Sequence, residues 1–140
     1  MVFKNILLGV DGSEHALRAA RLAGDLARCM GADLRVVVSF DPVPQYLGQP
    51  FLQEAITARL VQADSILQPA LAEVGEIPGV LKTDILEGPP AEAILSVAEV
   101  RKVDLIVMGT RGLGRLSGAL LGSQSQKVVS HAACPVLLVR

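Results

Sequence analysis

Five short β-type runs, each separated from the next by a segment of helical pattern, constrain this chain more than any other feature. The runs are NILLGV (5–10), LRVVVS (34–39), LKTDIL (81–86), DLIVMG (104–109) and PVLLV (135–139). The first and fourth are almost continuously apolar, as strands covered on both faces must be. Between the runs, residues 14–30 place Ala16, Ala19, Ala20, Ala23, Ala27 and Met30 on one helical stripe. Glu14, Arg18, Arg21, Asp25 and Arg28 recur on the opposite face. Residues 51–75 align Leu52, Ile56, Leu60, Ala63, Leu67, Ala70 and Val74, and Pro69 predicts a kink or an early end. Residues 90–102 open after Pro89-Pro90 and align Ala91, Ile94, Leu95 and Ala98, while residues 124–132 align Ser125, Val128, Val129 and Ala132.

Strict alternation of strand and helix predicts an α/β fold. Its core is a five-stranded parallel sheet with helices on both faces, joined by right-handed crossovers. Asp11 and Glu14 form a D-x-x-E helix-start signal with Ser13 as a rival N-cap, and Gly31 is a stop signal. The stretch FDPVPQYLGQP (40–50) is the most loop-like. A chain of 140 residues without a linker or repeat is expected to be one domain, 1–140, with one core.

Composition removes several function classes. A formal charge of −1 supplies no basic field for nucleic acid, and Phe3, Phe40, Phe51 and Tyr46 are a poor stock for stacking bases. The apolar runs are far shorter than the roughly 20 residues of a membrane-spanning helix. Asp11 arrives too early for a signal-peptide apolar region of ordinary length. Cys29 and Cys134 have no metal-type or C-x-x-C spacing, so the expected compartment is the reduced cytoplasm, with both cysteines read as small buried residues.

In an open parallel sheet a ligand binds beyond the carboxyl ends of the strands, where strand order reverses. With the order 3-2-1-4-5 the reversal lies between the first and fourth strands. There the segment Val10-Asp11-Gly12-Ser13 faces MGTRGLGRLSGALLGSQSQKVV (108–129). The second segment holds five glycines, Arg111, Arg115, Lys127 and three serines. Glycines allow close backbone approach, successive N–H groups make anion nests, and Gly122-Ser123 stands just before a helix whose dipole favours phosphate. The alternative is a Gly-rich connection with a serine N-cap. Two phosphate motifs fail. The P-loop is absent because no Gly-Lys-Ser/Thr occurs. Gly112-Leu-Gly114-Arg-Leu-Ser117 falls one residue short of G-x-G-x-x-G and follows the wrong strand.

Gly109-x2-Gly112-x9-Gly122-Ser123 resembles the G-x2-G-x9-G-[ST] signature of the universal stress proteins in their ATP-binding class. KNILLGVDGSEHALRAA (4–20) is similar to that family's first strand, acidic residue and helix, and residues 108–140 are similar to its C-terminal part. The resemblance implies a Rossmann-like, adenine nucleotide alpha hydrolase-like fold and a regulatory, ATP-binding module of the stress response. ADP, AMP or an empty interaction module are the alternatives. It implies that Gly109, Gly112, Gly122 and Ser123 line the triphosphate and ribose. Asp11 would lie at the ribose or adenine side, with Gly9 and Val10 as wall and the Ser39 backbone at the adenine edge. Met108, Arg111, Gln124 and Ser125 would be nearby contributors. Mg²⁺ would come with the nucleotide, held mainly through phosphates and water. Gln124 departs from the small apolar residue frequent in the family. The family commonly forms homodimers through its last strand, here 135–139, and a bare apolar edge there favours an isologous dimer.

No catalytic set emerges. Ser13 and Ser123 lack a His and a carboxylate in triad roles, and no base is evident, so hydrolysis of ATP is expected to be slow at most. His15 is expected on the solvated face of the first helix. His131 reads as packing or capping, and the arginines of residues 14–30 as a solvated face.

Overall fold

The computed structural model of the protein describes residues 2–111 and 121–140. Five strands, β1 (Asn5–Gly9), β2 (Asp33–Phe40), β3 (Leu81–Glu87), β4 (Leu105–Gly109) and β5 (Val136–Val139), alternate with four helices. The helices are α1 (Glu14–Met30), α2 (Phe51–Val74), α3 (Pro90–Arg101) and α4 (Ser123–His131), and a short 3₁₀ turn, Gln45–Leu47, precedes α2. All strand pairs are parallel and the sheet order is β3-β2-β1-β4-β5, the expected architecture.

The period of two in a strand divides the core between two faces. Ile6, Leu8, Val36, Val38, Leu105 and Val107 point to one side, where the alanine stripe of α1 and the Ala63, Leu67, Ala70 and Val74 face of α2 cover them. Leu7, Val37, Ile106 and Met108 point to the other, under α3 and α4. The small alanines let α1 sit low on the sheet. Its Gly24 lets the end of α2 come closer still, since a Cβ there would run into the Val74 carbonyl oxygen. Arg28 then clamps that end, with Nη1 donating to the carbonyl oxygens of Val74 (2.6 Å) and Glu76 (2.9 Å). Such bonds satisfy the last carbonyls of a helix.

Local signals and outcome differ in four places. Ser13, not Asp11, is the N-cap of α1, and Gly31 ends that helix in the left-handed conformation at φ 65°. Helix α2 runs through Pro69 without ending, because the packing of Leu67, Ala70 and Val74 carries it across the missing N–H. Only the second half of its apolar stripe is buried, and Leu60 is exposed. Cys29 is exposed rather than buried. Cys134 is half-buried, and burial, with the Asp104 charge second, pushes its thiol up from the ordinary range. The arginines of α1 form the expected solvated face, with ion pairs Arg18–Glu14, Arg28–Asp25 and Arg21–Glu73. Among the described residues no helix is long and apolar enough to cross a membrane.

Candidate functional site

The pairing of β1 with β4 brings the Val10–Ser13 segment beside Thr110 and Arg111 at the carboxyl edge of the sheet. A set of hydrogen bonds ties the two segments together. The Asp11 carboxylate accepts from the Ser13 N–H (3.0 Å), fixing the turn in which Gly12 takes φ +87°. Ser13 Oγ accepts from the Ala16 N–H (3.1 Å), capping α1, and donates to the Arg111 carbonyl (3.4 Å).

Thr110 is the joint on the β4 side. Its N–H donates to Val139, its carbonyl accepts from the Gly122 N–H (2.8 Å), and its hydroxyl lies 2.8 Å from His15 Nδ1. The Thr110–Gly122 bond sets the start of α4 against the end of β4. Ser125 Oγ adds a second tie by donating to the Gly109 carbonyl at 2.9 Å.

Two helices therefore begin at the switch point. The first is capped by its own serine and carries Glu14 in its opening turn. The second, α4, has Gly122 as N-cap, no side-chain cap and no acidic residue in its first turn. Its internal ladder begins with Gln126 N–H donating to the Gly122 carbonyl. The N–H groups of Ser123, Gln124 and Ser125 precede that first bond, at the positive end of the helix dipole.

On the opposite side of β1 lies a cleft of about 250 Å³. Val10 and Asp11 form its β1 wall, and Ser39, Phe40 and Asp41 its β2 wall. Gly88 and Pro90 close the β3 side, and Arg59, Gln62, Ala63 and Ile66 reach in from α2. Its volume is just under the roughly 300–1,000 Å³ of small-molecule pockets, enough for one part of a nucleotide rather than the whole.

The residues expected from sequence fall into three groups. Val10, Asp11 and Ser39 line the cleft. Arg111, Gly122 and Ser123 stand at the β4–α4 junction. Gly9, Met108, Gly109 and Ser125 belong to the framework. Met108 and Ser125 are buried, and a Cβ at Gly9 would meet the Ile94 side chain. Gly109 is required first by packing: a Cβ there would lie 2.7 Å from His15 Cβ and 3.0 Å from the His15 carbonyl carbon. Gln124 turns its amide oxygen to α3, accepting from the Ala91 N–H at 2.9 Å. Gly112 lies outside the described residues.

Sequence reasoning missed three contributors. His15 is not a solvated surface residue, because it bonds buried Thr110. Arg59 and Gln62 belong to no sequence motif, and the i, i+3, i+4, i+7 spacing of residues 59, 62, 63 and 66 is the signal that could have placed them along one stripe. His131 caps its own helix end, with Nδ1 2.9 Å from the Lys127 carbonyl oxygen.

A parallel sheet in this order, with a cleft and a helix start without a side-chain cap at its switch point, defines a doubly wound α/β protein. The model of the universal stress protein family matches residues 2–140, and the chain belongs to that family. It is 54% identical over 141 residues to a universal stress protein of Thermus aquaticus, covering 99% of this chain and 100% of the relative. The universal stress protein UspA of Lactobacillus plantarum has a similar structure, with a TM-score of 0.86 at 30% identity and coverage of 100% and 99% of the two chains. A universal stress protein solved in complex with cAMP aligns at a TM-score of 0.70 and 26% identity, covering 100% of this chain and 99% of that one.

Proposed function

We propose that this protein is a cytoplasmic, regulatory adenine-nucleotide-binding module of the stress response, with ATP as its principal ligand. The observation that carries this reading is the open start of α4, held against β4 by the Thr110–Gly122 bond and facing the same switch point as the Asp11 cleft. Three N–H groups at a positive helix end, without a carboxylate in the first turn, suit phosphate oxygens. The cleft between β1 and β2 suits the nucleoside. The Asp11 carboxylate retains acceptor capacity for ribose hydroxyls beyond the Ser13 N–H, and the Ser39 backbone reaches the base edge. The cAMP complex of a similar protein supports an adenine ligand. Mg²⁺ would come with the nucleotide, held mainly by phosphate oxygens and water.

The direct experiment is to denature the purified protein, identify any released nucleotide by mass, and titrate the emptied protein with ATP, ADP, AMP and cAMP calorimetrically. Adenine nucleotide in the supernatant and saturable heat with ATP are expected. An empty supernatant with no heat from any of the four would overturn the reading.

The same proposal includes an isologous dimer through β5. Its strand is at the sheet edge, pairs only with β4 among the described strands, and leaves Val136–Val139 half-buried. Sedimentation should give twice the chain mass at micromolar concentration, and a monomer there would remove the dimer from the proposal.

A further inference from the structure

We propose that α2 supplies the base-binding residue of this site: Arg59 lies over the face of the nucleobase, and Gln62 flanks it. The inference rests on the nucleotide reading above. In the order β3-β2-β1-β4-β5, the β4–α4 junction and the cleft lie on opposite sides of β1. Phosphates held at the start of α4 therefore leave the base on the β2 side, between Ser39 and α2. Residues 59, 62, 63 and 66 form one helical stripe along that cleft. The stripe changes character along its length. Ile66 packs toward Gly12 and Ala63 is buried, whereas Arg59, two turns nearer the helix start, is polar and half-buried at the cleft wall.

The ion pairs among the described residues are Arg18–Glu14, Arg21–Glu73, Arg28–Asp25 and Arg35–Asp84, so Arg59 is not held by a carboxylate. Asp11 and Asp41 line the same cleft without pairing with it. A planar guanidinium, weakly hydrated and left facing an open cleft, is suited to stack on a flat π-system. An ammonium is less suited, because it has no plane to stack and its charge is compact and strongly hydrated. Gln62 can both donate to a ring nitrogen and accept from an exocyclic amine.

The test uses the whole protein and ATP as the probe. Arg59→Met should weaken ATP binding by about 5- to 30-fold, the range of a partly desolvated cation–π contact. The dependence of affinity on ionic strength should stay as in the parent protein, because the lost contact is to the base and not to phosphate. Arg59→Lys, which keeps the charge and loses the plane, should be nearly as weak as Arg59→Met. Gln62→Leu should lose a smaller factor. Unchanged thermal unfolding of the variants is the control, since Arg59 makes no ion pair to lose. Full affinity in Arg59→Met overturns the proposal. So does rescue by Arg59→Lys, or a flattened salt dependence, either of which would move Arg59 to the phosphates. A parent protein that binds no ATP overturns this proposal and the nucleotide reading together, whereas a parent that binds with indifferent Arg59 variants overturns this one alone.

Discussion

Helices α1 and α4 both start within hydrogen-bond reach of the end of β4, and they end up with opposite chemistry. The start of α1 is closed by the protein's own oxygens: Ser13 Oγ on the Ala16 N–H, Asp11 on the Ser13 N–H, and Glu14 in the first turn. The start of α4 has a glycine cap and neutral residues, and the Gln124 side chain serves α3 instead. Of two helix starts at one switch point, the fold has thus closed one with its own side chains and left the other without a side-chain cap. For the proposed nucleotide, the difference argues where phosphate would go more sharply than the glycine spacing does, because it concerns charge rather than room.

The strongest way to break this comparison is to give α4 the charge that α1 already has. Ser123 is exposed at the first helical position, so Ser123→Glu should fold normally and gain about 0.3–1 kcal/mol from the helix dipole. Its ATP affinity should fall roughly 100-fold, as expected of a carboxylate set a few ångströms from phosphate. Calorimetry and thermal unfolding on the same sample read both effects, and retained affinity would place the phosphates elsewhere.

Next in size is Gly109→Ala. The new methyl meets the backbone of α1 as well as His15, so stability should drop by about 2 kcal/mol in urea unfolding. A drop of only a few tenths would mean that α1 is not seated on β4 as described. Ser13→Ala should cost about 1 kcal/mol, and Ser13→Asp should recover most of it as an alternative cap. Gln124→Leu, which removes the cap from the Ala91 N–H, should cost roughly 0.5–1 kcal/mol while moving ATP affinity less than about 3-fold. A large loss of affinity in that variant would return Gln124 to the phosphate site.

The smallest effect lies toward the far ends of the same two helices. Exposed Cys29 in α1 should react with iodoacetamide before Cys134, which follows α4 and whose thiol is pushed up by burial. Because the Cys134 shift is upward, its protonated form stabilises the fold below the ordinary thiol range. That contribution is lost only as pH rises through it, leaving stability near neutral pH untouched.

The strands, their order and α1 were legible because each rests on a local period: two for the strands and 3.6 for the helix. The alternation of the two periods leaves few topologies. The junction at Gly122 was legible as a spacing. What escaped was set by how elements lie on one another. The period of α2 shows which residues share a face, but not that the face passes over the β1–β2 cleft and carries Arg59 into it. That Gly109 is also required by packing was not legible, because a sequence does not show the distance between α1 and β4. His15 sits among charged residues of a polar face. Only the docking angle of α1 reveals that it meets Thr110, nearly a hundred positions away in the chain.

Thr110 engages three partners from three different elements: β5 through its N–H, α4 through its carbonyl and α1 through its hydroxyl. Energetic contributions of residues that share one partner are not independent. His15 and the Gly122 turn should therefore show a coupling energy in a double-mutant cycle, although no bond joins them directly. Any surface that engages the β5 edge gains, through this one residue, a mechanical connection to the start of α4.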